Sequence, residues 1–415
     1  MHAPASTSSA FRLGMRELVV MLALTQALQA LAIDAMLPAL GQISADLHLT
    51  DPNQRQLIVG LFLVGAGVGS LLPGALADRY GRRPVLLGCL ASYVVFGLAC
   101  AIVSDFRALL AMRMLQALGS GGLAVLPVAI IRDKFEGDRM ARLQSLMSMI
   151  FMVVPMLAPT LGQAVLVFAG WRWIFGLMAV LALMLTTWIA LRLPETLHPE
   201  FRQAVRVTVI ADNLLTTLRT RASIGYVFGA ALVQGTLFGY VQCSEQLIAE
   251  HFGAGTRFPL VFGGMALCMA TANFTNSRIV ERFGARRVGH TATLAYIVVG
   301  ALQVGLAHLP HQTLWEFVPV MTANMCLIGF IGANFSSIAL QPFARIAGSA
   351  SSVQAFIRVV LASLLGALIG QAYDNSARPL AFALLLAGIG SLALVLYSER
   401  GTLFRRLHYP ARVPA

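Results

Sequence analysis

Charge is scarce in this chain. Asp, Glu, Lys and Arg together make up 12% of its 415 residues, about half the share of a soluble globular domain. With 58% hydrophobic residues beside it, that shortage excludes an ordinary soluble protein and points to one that crosses a membrane repeatedly. No Gly-Lys-Ser phosphate loop or nucleotide-binding domain is found, so ATP is not the direct energy source. Only five cysteines occur, Cys89, Cys100, Cys243, Cys268 and Cys326. All lie inside apolar runs, away from an oxidising exterior, and read as small apolar residues. The eight histidines fall in loops or at helix ends. His308 and His311, at one outer turn, have no carboxylate or thiolate near them to complete a metal site. No enzyme constellation remains, and no metal or cofactor is expected. Residues 1–14 lack the short apolar core and small-residue cleavage site of a signal peptide, so the first apolar run is expected to stay in the mature protein.

What the chain does have is apolar length. Runs able to cross a hydrocarbon core of about 30 Å, at about 20 residues each, recur twelve times, near 18–40, 56–77, 84–103, 107–131, 142–166, 172–191, 223–249, 258–277, 288–307, 316–340, 349–373 and 380–397. The expected fold is an all-α integral membrane protein of twelve transmembrane helices. The net charge of +12 has its own explanation in the positions of the 30 basic residues. The two termini and alternate loops hold 23 of them, the opposite loops hold 5 (Arg55, Arg107, Arg172, Arg257 and Arg378), and Arg113 and Arg358 lie within spans. Such a bias places both termini in the cytoplasm. It favours contact with anionic lipid, and the lack of a compact basic domain argues against nucleic acid.

Polar residues inside the spans are the functional candidates, because an ionisable group there should face the bundle interior or a water-filled cavity. Asp34 in the first span lies roughly 24 Å from the cytoplasmic face, at about 1.5 Å per residue from Leu18. Gln26 and Gln29 share that helix and either line a cavity with Asp34 or bond to neighbouring helices. Arg113 in the fourth span, followed by Gln116, is at a depth where it could meet Asp34. A pair that forms and breaks would take up and release a proton, whereas a static pair would be structural. Glu245, at the far end of the seventh span with Gln234 earlier in it, reads as interfacial unless the helix is broken. Arg358 lies about 15 Å deep in the eleventh span, one turn from Gln354. It binds an anionic or carbonyl-bearing substrate, pairs with Glu245, or bonds to backbone carbonyls. Asn324 and Asn334 of the tenth span line the same cavity or bridge helices.

Between the second and third spans lies a cationic turn from Gly74 to Pro84 containing Asp78, Arg79, Gly81, Arg82 and Arg83. Gly81 permits positive φ, and the arginines suit the negative end of the preceding helix. Asp78 is an anion that could meet the N-terminus of another helix. The turn resembles the signature loop of the major facilitator superfamily, which helps lock the cytoplasmic gate in that family. Arg113 and Gln116 resemble the family's fourth-helix motif, with Ala117 where glycine is usual. Pro155, Ala158, Pro159 and Gly162 resemble the antiporter motif of the fifth helix, with Ala158 where glycine is common and Gln163 in place of a second glycine. Asp34 with Leu37 and Pro38, Arg132 with Asp133, Trp171 with Arg172, and the run Leu193 to Leu197 resemble the bicyclomycin-resistance type of drug/proton antiporters.

The loop returns in weaker form at 279–286, where Glu281, Arg282, Gly284 and Arg286 align with Asp78, Arg79, Gly81 and Arg83 at a constant offset. The chain therefore reads as a duplication: six helices over 1–192, a central cytoplasmic linker over 193–222 with an interfacial amphipathic helix, six helices over 223–398, and a basic tail over 399–415. The resemblance implies a monomer in the bacterial inner membrane that exports amphipathic small molecules against a proton gradient. In that reading Asp34 carries the proton, Arg113 tunes it, and the Asp78 loop gates against 348–352. An importer or dedicated metabolite exporter of the same fold is the nearest alternative; a non-transporting receptor or scaffold is the alternative from another class.

Overall fold

The computed structural model describes residues 14–135, 137–197, 200 and 215–404. The amphipathic helix expected in the central linker and most of the basic tail lie outside these residues. The described residues form twelve helices long and apolar enough to cross a membrane: α1 (Met15–Asp46), α2 (Pro52–Tyr80), α3 (Arg82–Ile102), α4 (Phe106–Lys134), α5 (Arg142–Phe168), α6 (Arg172–Arg192), α7 (Arg221–His251), α8 (Gly255–Phe283), α9 (Ala285–Ala307), α10 (Leu314–Phe343), α11 (Ala350–Gln371) and α12 (Arg378–Ser398). Each matches one expected run, with 84–103 and 349–373 overhanging their helices by one or two residues. Two helix starts are capped by side chains: Asp105 accepts from the Ala108 amide at 2.8 Å to open α4, and Thr313 and Glu316 form a capping box at the start of α10.

Five spans are not continuous α-helices: α8 opens and α10 closes on a 3₁₀ turn, and of the breaks in the other three, two have a proline to account for them. In α1 the regular helix stops at Asp34, a 3₁₀ turn covers Leu37–Ala39, and Leu40–Asp46 resumes. Pro38 has no amide to give the Asp34 carbonyl four residues back. In α2 the helix is interrupted at Ser70, ahead of Pro73, and the Ser70 hydroxyl donates to the Gly67 carbonyl at 2.7 Å. The third break is the C-terminal end of α7, where Glu245–His251 winds as a π-helix, a form found frequently at functional sites.

The packing repeats across the two halves. In the first half α1 packs on α4, α2 on α4, α3 on α4, and α3 on α6; in the second, α7 packs on α10, α8 on α10, α9 on α10, and α9 on α12. Between the halves α2 packs on α11 and α5 on α8. A two-fold exchange of the halves converts one of these interfaces into the other, as an internal duplication requires.

Hydrogen bonds between the halves gather at the end that carries the turn between α1 and α2. Asn53 donates to the carbonyls of Gln371 and Tyr373 at 3.2 and 2.7 Å, and Gln371 returns a bond to the Asn53 carbonyl at 2.8 Å. Gln56 bonds Gln246, which also reaches Asn53 at 3.2 Å. Arg55 pairs with Glu250 at 2.6 Å and with Glu245 at 3.4 Å. At the opposite end the ion pairs stay within one half each: Arg82 with Asp78 and Asp133, Glu17 with Arg192, and Arg286 with Glu399. The described state is therefore latched at the end that carries the turn between α1 and α2.

Candidate functional site

Asp34 is buried, with 6% of its surface exposed, and makes no ion pair or hydrogen bond with another described residue. It sits where α1 breaks, and α5 covers the break. A methyl group added at Gly162 would lie 2.0 Å from the Ala35 carbonyl and 3.2 Å from the Pro38 ring, so only glycine allows α5 this close. Buried Ala158 precedes Gly162 by one turn, and both Pro155 and Pro159 lie inside the same helix. The proline-bearing segment of α5 thus backs the broken helix that carries Asp34.

Arg113 does not pair with Asp34. Its guanidinium is fully buried and donates to the Ala32 carbonyl at 2.9 Å, to Gln116 Oε1 at 2.9 Å and to the Ile58 carbonyl at 3.4 Å. Phe62 and Phe175 cover it at 4.2 and 5.5 Å. These bonds tie α1, α2 and α4 together, and backbone carbonyls stand where the sequence suggested a carboxylate. Gln116 also donates to the Tyr93 carbonyl at 3.4 Å.

Several other candidates bridge helices. Gln26 donates to the Ala124 carbonyl at 3.1 Å, joining α1 to α4. Asn334 donates to Asn276 at 2.9 Å, joining α10 to α8. Gln354 donates to Ser223 at 3.1 Å and the Ala339 carbonyl at 3.0 Å, joining α11 to α7 and α10. Asn324 bonds its own helix at Val320 and leaves its buried carbonyl oxygen unpaired. Gln29 and Gln234 are half-buried.

Two expected partnerships are replaced by others. Glu245 does not meet Arg358; the π-turn brings it to Arg55 of the opposite half, with 7% of its surface exposed. Arg358 makes no ion pair or hydrogen bond with a described residue, and it lines a cavity of about 60 Å³ with Tyr226, Phe335, Ser336, Ser351 and Gln354.

The signature loop is a network inside the first half. Gly81 adopts φ 109° and ψ 155°, a conformation almost restricted to glycine. Glu195 accepts from the amides of Arg82 and Arg83 at 2.9 and 3.2 Å, at the positive end of α3. Arg82 pairs with Asp78 at 2.6 Å and with Asp133 at 2.7 Å, and Arg83 donates to the Ala190 carbonyl at 2.5 Å. Arg79 lies over the Tyr80 ring, and Gly74 faces Val125. Asp78 thus holds Arg82 in this state and not the N-terminus of another helix. The side chains of 344–349, which include the first two residues of the expected gating segment 348–352, lie outside the described ones.

The sequence missed the latch between the halves, because Arg55, Gln56, Gln246 and Glu250 read separately as loop and helix-end residues. It also placed His290 at a helix end. The structure buries that residue to 1% exposure, bonded to Tyr226 at 2.9 Å.

The profile described as Major Facilitator Superfamily matches residues 22–367. This chain belongs to the major facilitator superfamily. An uncharacterized MFS-type transporter YdgK of Bacillus subtilis is 31% identical over 92% of this chain and 94% of its own length. A bicyclomycin resistance protein homolog of Haemophilus influenzae is 26% identical over 88% and 91%. Among solved structures, a D-xylose-proton symporter superposes with a TM-score of 0.71 at 15% identity, covering 92% of this chain and 96% of the other. The chain is thus a membrane transporter with antibiotic-resistance relatives, and it is not an enzyme.

Proposed function

We propose that this transporter exports small amphipathic compounds across the bacterial inner membrane in exchange for protons, with Asp34 as the proton-carrying group. The observation that carries the reading is the geometry of Asp34: a buried carboxyl at a helix break, engaged by no described cation or donor. A charge there is costly while the cavity is closed and tolerated when water or cargo reaches it, which is the property a coupling group needs. Arg113 fixes the backbone two residues away and thereby positions Asp34. Export is supported by the resemblance of α5 to the antiporter motif, and an antibiotic as cargo by the name of the Haemophilus relative.

The basic bias of alternate loops supports cytoplasmic termini and contact with anionic lipid. The protein acts as a monomer in this reading. Closing the inner side requires Asp78 to exchange Arg82 for the start of α11, while the outer latch opens. A dedicated exporter of an anionic metabolite is the second reading, favoured by the unengaged Arg358.

Proton release on adding a panel of candidate drugs to the purified, detergent-solubilised protein tests the assignment. Release is expected from the wild type and absent from Asp34→Asn. Equal release from a folded Asp34→Asn protein would remove Asp34 from the coupling step.

A further inference from the structure

Two arginines lie within spans of this chain, and their surroundings differ. Arg113 is held by three described acceptors and two aromatic rings. Arg358 has no described acceptor and no covering ring, yet it occupies the inner half of the second bundle, on the wall between α7, α10 and α11. A guanidinium at that depth without an acceptor needs either water or an anion.

The acids that could neutralise Arg358 from within the protein are engaged elsewhere. Glu245 pairs with Arg55 of the opposite half. Glu399 accepts from Tyr226 at 2.6 Å and from Arg286 at 2.8 Å. Asp34 belongs to the other half. The cavity beside Arg358 combines aromatic surface from Tyr226 and Phe335 with the hydroxyls of Ser336 and Ser351. A planar cation, two hydroxyls and a ring wall suit a carboxylate, or an anion of similar shape, carried on an apolar body. Gln354, pinned to Ser223 and the Ala339 carbonyl, fixes the turn of α11 that presents Arg358.

We infer that Arg358 binds the anionic group of the transported compound, so that the cargo class is amphipathic anions and zwitterions. This rests on the transporter reading but not on Asp34 being the proton carrier. An anionic lipid headgroup has the same chemistry as such a cargo, and the test separates the two.

The probe is radiolabelled 1-naphthoate, with its methyl ester as the neutral isostere, bound to the full-length protein in neutral detergent. Wild type is expected to prefer the acid by about tenfold or more, as loss of a charge-assisted pair implies. Arg358→Gln is expected to bind acid and ester alike, Arg358→Lys to keep part of the preference, and Asp34→Asn to keep all of it. The wild-type ratio needs no variant, so the inference remains open to refutation even if Arg358→Gln does not fold. Equal binding of acid and ester by wild type, absence of naphthoate binding at millimolar concentration, or a preference that survives Arg358→Gln would overturn it. Displacement of naphthoate by phosphatidylglycerol but not by an exported anion would assign the site to lipid and overturn the cargo assignment. If proton release fails the Asp34 test while the acid preference holds, the anion site stands with a different coupling group.

Discussion

At the scale of single residues, one side-chain type serves two ends. Arg113 ties three helices through carbonyls and a glutamine, whereas Arg358 stands in a cavity with its donors unengaged. Replacing Arg113 by Gln leaves the Ala32 and Ile58 carbonyls without their donor, at about 1–3 kcal/mol for each buried group left unpaired. Thermal unfolding in detergent should shift down by several degrees for Arg113→Gln and remain near wild type for Arg358→Gln. Glycine positions divide in a similar way. A methyl group at Gly81 would sit in a backbone region nearly closed to other residues and 2.4 Å from Glu195 Oε2, while one at Gly74 meets only Val125, at 3.8 Å. Gly81→Ala should therefore lose about 1–3 kcal/mol of stability, and Gly74→Ala little, as unfolding midpoints compared side by side would reveal.

At the scale of elements, the duplicated loops show what six-helix halves share and where they part. In both halves a glutamate just past the last helix closes onto the signature loop, Glu195 onto the amides of Arg82 and Arg83, Glu399 onto the Arg286 side chain. Ala285 stands where the first half has buried Arg82, so the second loop has no counterpart to the bridge from Asp78 to Asp133. Burial pushes the Glu399 carboxyl up, but the hydrogen bonds from Tyr226 and Arg286 outweigh it and hold the group below its ordinary range. A carboxyl depressed in the folded state stabilises above its unfolded value, near about 4.3, and loses that contribution as pH falls toward the folded value. Glu399→Gln should consequently lower the unfolding temperature at pH near neutrality, and the gap from wild type should close as the medium is acidified through the carboxylate range.

At the scale of the whole molecule, the latch between the halves decides which side is open. Hydrogen bonds from Asn53 to Gln371 and Tyr373, the Gln56 to Gln246 contact and the Arg55 cluster all join opposite halves at one end. Alternating access requires that latch to part. Joining Asn53→Cys and Gln371→Cys with a bis-methanethiosulfonate, which forms a disulfide to each thiol with loss of methanesulfinate, in a background whose five native cysteines are replaced by Ala, should stop transport, and reduction should restore it. Transport that continues through the cross-link would show that these halves need not separate on the outer side. Arg55→Ala should act in the opposite direction, raising the reactivity of a single cysteine at Gln371 toward an impermeant outside reagent.

The twelve spans, their breaks into two related halves and the loop around Asp78 were legible in the sequence, because membrane crossing, charge bias and a duplicated motif are local or periodic signals. Asp34, Arg113 and Arg358 could be named for the same reason, since a charge inside an apolar run stands out wherever it points. Their partners could not be read. The Pro38 break, the π-turn at Glu245 and the close approach of Gly162 to Ala35 alter helix course by ångströms, and with it which acceptor each side chain meets. Only the tertiary structure gave Arg113 to backbone carbonyls, Glu245 to Arg55 and Arg358 to a cavity, because a hydrogen bond is decided by where two chain segments arrive and not by the composition of either.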